Sequence, residues 1–246
     1  MKLASLLCCL LAGPAALCQG NKDMTNQQVQ QSLDDLGNTR MVNSSRTFDN
    51  RLIATRGTPF YATNWLPGEV TIIGTKTVYR GQFKLDVMNN RLMVKQPTGD
   101  SIWVSSDRLN TITLNPLVND QMMVHFQRFP TAKSDQPLLS TSLVRVLHEG
   151  TYGALVQLPI RQLYKAQPNT GYSSSVPTNE IRDESVYYVV RPNQTTEKVK
   201  LNRRSLADAL GETGRLLNNH ARANNLSLRS EREVIDALKA LPVPIR

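Results

Sequence analysis

Between residues 69 and 129 the sequence alternates short runs rich in β-branched and aromatic residues with clusters of turn-forming residues. Runs of this kind at near-regular spacing are typical of antiparallel strands. Because consecutive strands usually lie side by side, the stretch predicts one long β-meander. Six strands are expected in it, at residues 69–73, 77–87, 91–96, 101–105, 109–114 and 121–129.

The best-defined hairpin of this stretch is centred on Asn89-Asn90. Asparagine tolerates the positive φ that a tight type I′ turn requires. Apolar and polar residues alternate on both sides of the turn, so the apolar ones share one face of the sheet. The apolar side chains expected to face the core are Phe83, Leu85, Leu92 and Val94.

The first 18 residues have the pattern of a secretory signal peptide: Lys2, then an apolar run too short to span a bilayer. Cleavage is expected before Gln19, which would make the mature chain secreted or periplasmic. A lipidated Cys18 is the alternative, disfavoured because Leu17 occupies a position where lipoprotein signals carry a small residue. All three cysteines lie in this segment, so the mature chain would lack thiols. No transmembrane segment is predicted after cleavage.

The remaining chain divides by composition into three parts. Residues 19–50 are polar and rich in Gln and Asn, and we interpret them as a loosely ordered leader. Residues 51–201 form an antiparallel β domain, with an exposed loop expected at 167–184, where Gly, Pro and Ser cluster. Residues 202–246 change to helical periodicity. The predicted fold class is α+β: an antiparallel β-meander, as a sandwich or a partly open barrel, followed by a small C-terminal helical cap.

Three short helices are predicted in the cap. Ser205 is placed to cap the first helix and Gly211 to end it. Ser230 followed by Glu233 has the spacing of a capping box for the third. Helices this short are marginal alone, so they must dock on the sheet or on each other. The apolar side chains expected at that contact are Leu216, Leu217, Val234, Ile235 and Leu238.

Six short motifs follow one another in a characteristic order along the chain. They are Trp65-x-x-Gly68-x-Val70, Gly81-x-Phe83-x-Leu85, Val146-Leu147-x-Glu149-Gly150, Tyr187-Tyr188-Val189-Val190, Arg203-Arg204-Ser205-Leu206 and Asn225-Leu226-Ser227. In this order the motifs resemble those of small exported proteins of unknown function from Bacteroidota, over residues 58–241. The match departs at Leu241-Pro242-Val243-Pro244, where those proteins tend to end in aromatic residues. The resemblance implies a bacterial exported protein and transfers no active-site residue.

The sequence contains no recognisable catalytic or ligand-binding constellation. Its three histidines, His125, His148 and His220, are far apart and lack Cys or His partners at metal-ligand spacing. Nucleophile elbows, phosphate-binding loops and calcium-binding patterns are also missing. We therefore predict no catalytic residue, no metal site and no cofactor. The alternative is a hydrolase whose site is assembled from scattered residues, for which a cleft would have to gather His148, Glu149, Asp183 and Glu184.

The formal net charge of +9 is the strongest remaining signal, and the basic excess is partly concentrated at the C-terminal end. A basic face can bind nucleic acid, anionic lipid or acidic glycan. The possible anion-facing patch comprises Lys198, Lys200, Arg203, Arg204, Arg215, Arg222 and Arg229.

The function predicted from these observations is that of a non-enzymatic binding or scaffold protein of the cell envelope or extracellular space. Its partner would be an anionic envelope surface or another envelope protein. Nucleic acid is disfavoured, because the chain carries an export signal and lacks a nucleic-acid-binding motif. A nucleic-acid or polyanion binder that acts through the basic C-terminal helices stays open as an alternative.

Overall fold

The structure, a computed structural model, describes residues 55–115, 123–166 and 178–241. The predicted signal peptide (1–18) and leader (19–50) lie outside the described residues, as do most of the loop expected at 167–184 and the last five residues of the chain. Within the described part, every helix is too short or too polar to cross a lipid bilayer.

The described residues form thirteen strands and four α-helices. The strands are β1 (Thr55–Arg56), β2 (Leu66–Ile72), β3 (Val78–Asp86), β4 (Arg91–Lys95), β5 (Ser101–Ser105), β6 (Leu109–Leu114), β7 (Val124–Gln127), β8 (Val144–Gly150), β9 (Gly153–Leu158), β10 (Arg161–Tyr164), β11 (Asn179–Asp183), β12 (Val186–Val190) and β13 (Thr196–Val199). The helices are α1 (Leu138–Thr141), α2 (Arg203–Ala209), α3 (Gly211–Ala223) and α4 (Glu231–Lys239).

Ten of these strands form one open antiparallel sheet, in the order β13-β12-β9-β8-β7-β6-β2-β3-β4-β5. A smaller sheet has the order β1-β11-β10, and in it β1 runs parallel to β11. Because the strands come first along the chain and most of the helical residues come last, the predicted α+β class is confirmed.

The neighbour order departs from a simple meander at two points, because β9 pairs with β12 and not with β10, and β6 pairs with β2 and not with β5. Only the 3₁₀ turn Ser106–Arg108, three residues long, joins β5 to β6. Such a link spans at most about 14 Å, since each residue adds at most ~3.6 Å. In a flat sheet four strand spacings would separate the two strands by about 19 Å. This half of the sheet must therefore curl.

The curl encloses an apolar core on one face of β2–β7. Phe83, Leu92 and Val94 are fully buried and Leu85 is 3% exposed, as the alternating pattern predicted. The predicted β3–β4 hairpin is confirmed, but its turn spans the four residues 87–90. Only Asn90 among them, at φ 50°, has a positive φ, so the turn is not the two-residue type I′ turn that Asn89-Asn90 suggested.

The opposite, polar face of this hairpin contains a buried charge. Asp86 is only 1% exposed, although its polar neighbours suggested a solvated position. Its carboxylate accepts hydrogen bonds from the backbone N–H of Asn89 and from Arg91 Nε, both at 3.0 Å. A buried carboxylate needs such partners, because leaving it unpaired would cost several kcal/mol.

The C-terminal helices pack on the far end of the same sheet. There Leu147, Leu155 and Val189 project from β8, β9 and β12 into one cluster with the helical side chains. As predicted, the helices bury Leu217, Val234, Ile235 and Leu238, while Leu216 is half-buried. Short α1 covers the other face of β9 and β12, where Leu139 packs with Val156 and Tyr188.

Two helix caps differ from the prediction. Asn202, and not Ser205, caps α2: its side chain accepts from the N–H of Ser205, while Ser205 Oγ accepts from the N–H of Lys200. Ser230 caps α4 as expected. Glu233, however, accepts from Ser227 and Arg229. These hydrogen bonds stabilise the ionised carboxylate and therefore lower the pKa of Glu233.

The prediction of an exposed loop at 167–184 is wrong at its C-terminal end, where residues 179–183 form strand β11. Residues 179–183 are mostly polar, and only Ile181 among them is buried. The strand forms because β1 and β10 pair with it on either side, and β1 lies more than 120 residues earlier in the chain. Pairing with a strand so distant in the sequence leaves no pattern in the residues of β11 itself, so the strand could not be predicted from them.

Candidate functional site

Five residues from separate parts of the chain meet on the helix-bearing face of the large sheet, in what we call the polar centre. In the strand register Arg145, Gln157 and Tyr187 lie opposite one another on β8, β9 and β12. Opposed residues share one face, so the three side chains form a row. The members of the polar centre are Tyr61, Arg145, Gln157, Tyr187 and Glu231.

The polar centre joins helix α4 to the sheet. Arg145 Nη1 donates to Glu231 Oε2 at 2.6 Å and to Gln157 Oε1 at 3.2 Å. The Tyr187 hydroxyl donates to the other oxygen of the same carboxylate, Glu231 Oε1, at 2.8 Å. The Arg145 guanidinium lies 6.0 Å from the centre of the Tyr61 ring. Glu231 is the first residue of α4, where the helix dipole also favours its negative charge.

Burial and charge shift the pKa values of both tyrosines in the polar centre. Burial raises the pKa of Tyr61, and the nearby Arg145 guanidinium partly opposes this shift. The pKa of Tyr187 is raised mainly by burial and further by its hydrogen bond to Glu231. Both phenols therefore stay protonated at neutral pH, and the Tyr187 hydroxyl donates its hydrogen bond to Glu231.

A second ion pair, Arg161 with Asp183, belongs to the small sheet. Both charges influence Tyr61, so this pair lies close to the polar centre. Asp183 also accepts a hydrogen bond from the N–H of Ser185 at 2.9 Å. Each of the two carboxylates in this region, Asp183 and Glu231, is thus held by at least two donors. Burial would raise the pKa of Asp183, but the hydrogen bonds from Ser185 and Arg161 outweigh it and lower that pKa.

Tyr187→Phe tests whether the polar centre fastens the helical cap to the sheet. Loss of one hydrogen bond to a carboxylate costs about 1.5–3 kcal/mol when buried, and partial exposure lowers the expected loss to about 1–2 kcal/mol. Urea denaturation measures the free energy of unfolding. The matched control is Tyr79→Phe, because the described residues give no hydrogen bond to the Tyr79 hydroxyl. Equal, small losses for both variants would contradict a fastening role.

The residues that a scattered hydrolase site would need are not brought together by the described contacts. His148 lies in β8, and its Nδ1 is 2.8 Å from the Tyr152 hydroxyl. Burial lowers the pKa of His148 and raises that of Tyr152. Asp183 and Glu184 instead interact with residues of the small sheet, Arg161 and Tyr164. Among the described residues no group of His, Cys, Asp or Glu could hold a metal ion.

The outer face of the curled half carries a second group, which we call the cation–aromatic strip: Phe60, Trp65, Lys84, Arg91 and Trp103. Lys84 Nζ lies over two rings, 5.2 Å from the centre of Trp65 and 5.5 Å from that of Phe60. The Phe60 and Trp103 rings are nearly parallel, with centres 6.3 Å apart. The Arg91 guanidinium stacks 3.8 Å from the Trp103 centre.

The strip is half-exposed and contains both tryptophans of the chain. Arg91 is neutralised by Asp86. Lys84, by contrast, has no carboxylate partner among the described residues, and the same holds for Lys95, which shares its face on the neighbouring strand. The strip therefore combines aromatic surface with uncompensated positive charge.

The predicted anion-facing patch is spread over the cap and the adjacent edge strand. Lys198, Lys200, Arg204, Arg222 and Arg229 are exposed. Arg215 is exposed but pairs with Glu212 at 3.1 Å. Arg203 is half-buried, and its Nε donates to the Leu226 carbonyl at 2.7 Å, which ties α2 to the α3–α4 connection. The Arg203 guanidinium thus forms a structural hydrogen bond within the cap and is not a free member of the predicted patch.

Sequence patterns pointed to neither the polar centre nor the strip. Arg145 stands between Val144 and Val146 in an apolar run, and this charge was the one local signal for the polar centre. For the strip the local signals were Trp103, within the strand predicted at 101–105, and Trp65, shortly before the first predicted strand. Searches of protein-family models, curated proteins and solved structures found no match to this chain.

Proposed function

We propose that the chain is an exported, non-enzymatic binding protein of the cell envelope or extracellular space, and that the cation–aromatic strip is its binding surface. The observation that supports this most directly is the pair of uncompensated lysines, Lys84 and Lys95, beside three half-exposed aromatic rings. Aromatic rings bring large contact areas with little loss of side-chain freedom, and the lysines attract a negative partner.

The polar centre supports a non-enzymatic role. It is the place where scattered polar groups converge and where pKa values are shifted, which are the usual marks of an active site. Its carboxylate, however, is bound on both oxygens by Arg145 and Tyr187. An acid–base catalyst needs a carboxyl group free to reach substrate. The polar centre therefore fits a structural junction between cap and sheet better than a hydrolase site.

A matched pair of charge reversals tests where the binding surface lies. Lys84→Glu with Lys95→Glu alters the strip, and Arg222→Glu with Arg229→Glu alters the exposed cap by the same net charge. We expect the strip variant to leave immobilised heparin, the polyanionic probe, at clearly lower salt, with the cap variant close to wild type. Circular dichroism checks that both variants fold.

The reverse result would overturn the proposal and favour polyanion binding through the cap, which the exposure of Arg222 and Arg229 allows. Equal retention of both variants and wild type would also overturn it. The export part of the proposal rests on the N-terminal segment and is tested separately, by intact mass of protein recovered outside the cytoplasm. A mass starting at Gln19 is expected, and a retained Cys18 or an added lipid mass would contradict it.

A further inference from the structure

We infer that the ligand of the cation–aromatic strip is an acidic polysaccharide whose sugar units carry carboxylates. This inference rests on the proposed binding function of the strip. The surface has mixed chemistry: three aromatic rings lie beside two lysines that lack carboxylate partners in the described structure. Aromatic rings pack against the apolar C–H faces of sugars, and ammonium groups donate hydrogen bonds to carboxylates.

The cations of the strip are held in position before any ligand arrives. Lys84 lies over the rings of Phe60 and Trp65, and Arg91 is fixed between the Trp103 ring and the buried Asp86 carboxylate. Ordering a free lysine on binding costs about 0.5–1.5 kcal/mol, so pre-positioned side chains favour affinity. The Lys84 ammonium group contacts rings and no carboxylate of the described structure, so it can still form a favourable ion pair with a carboxylate of the ligand.

The spacing of the charges argues against nucleic acid. In the β3–β4 register Lys84 lies opposite Met93 and Lys95 lies opposite Gln82, so the two lysines are diagonal neighbours. Diagonal neighbours have Cβ atoms about 7–8 Å apart. Each strand of duplex DNA carries one charge per ~3.4 Å of helix axis, and proteins that bind it usually neutralise many phosphates. Two uncompensated lysines are few for such a partner and suit a polymer of lower charge density, such as a polyuronate.

Tryptophan emission provides a direct readout, because the only two tryptophans of the chain lie in the strip. The full chain is titrated with alginate, a polyuronate, and in parallel with neutral dextran, single-stranded poly(dT) and phosphatidylglycerol vesicles. We expect alginate alone to shift the emission, with an affinity that falls as salt rises. Lys84→Gln should weaken alginate binding about tenfold or more, the equivalent of one charge-assisted hydrogen bond. Lys76→Gln, at an exposed position before the start of β3 and therefore at the opposite end of that strand from Lys84, is the matched control and should leave the affinity unchanged.

The outcomes separate the ligand class from the binding surface. Dextran binding as tightly as alginate, with no loss in Lys84→Gln, would overturn the acidic ligand while the strip stayed the binding surface. Emission shifts of equal affinity with poly(dT) or with the vesicles would overturn the polysaccharide in favour of those partners. Emission unchanged by every probe would overturn both the ligand and the proposed function of the strip.

Discussion

Phe126→Ala is expected to lower the free energy of unfolding by about 3–5 kcal/mol, the usual loss for a buried phenylalanine. Phe126 is fully buried on β7, in the core enclosed by the curl. Its ring meets the Tyr61 ring edge to face, with centres 5.0 Å apart and planes at 89°, a contact worth about 0.5–1.5 kcal/mol beyond the buried area. The substitution therefore removes both core volume and the support of one member of the polar centre.

Urea denaturation with an unchanged m-value measures this loss. Met123→Ala, one residue before β7, is the matched control: Met123 is 70% exposed, so its loss should stay within about 0.5 kcal/mol. A loss below about 1 kcal/mol for Phe126→Ala would mean that the Phe126 ring is not packed in the core enclosed by β2–β7.

Local sequence patterns predicted the parts of the fold that local interactions determine. The β3–β4 hairpin is an example, because the turn residue Asn90 and the alternation around it lie within a few positions of each other. The return of β6 to β2 could not be predicted in this way. Nothing in residues 106–114 shows which of the preceding strands will pair with β6. The short 3₁₀ turn brings β6 beside β2 only because the strands before it have already curled.

The candidate sites were hidden for the same reason. Arg145, Gln157 and Tyr187 meet only because three strands pair in one register, and Glu231 joins them only after the cap has docked. A single charged residue between apolar neighbours is compatible with an exposed strand position, so its pattern alone cannot indicate a half-buried ion pair. The predicted basic patch shows the converse: Arg203 has the charge of a surface residue and a structural hydrogen bond.

The helical cap shares its core with the sheet, so the two parts should not be separable. A chain ending at Gly211 would lose α3 and α4 and uncover Leu147, Leu155 and Val189. Full burial of an aliphatic side chain contributes about 1.5–3 kcal/mol, and a typical domain has only about 5–15 kcal/mol of net stability.

Truncation would also remove the Glu231 partner of Arg145, a cation that is only 19% exposed. A half-buried charge that loses its partner destabilises the folded state further. We therefore expect the truncated chain to lack a cooperative thermal transition and to bind a hydrophobic dye such as ANS. Full-length protein with Arg222→Glu and Arg229→Glu, two exposed positions of the cap, should melt close to wild type. A truncated chain that melts like the full one would show that the helices are an independent appendage, and that the polar centre joins them to the sheet without stabilising it.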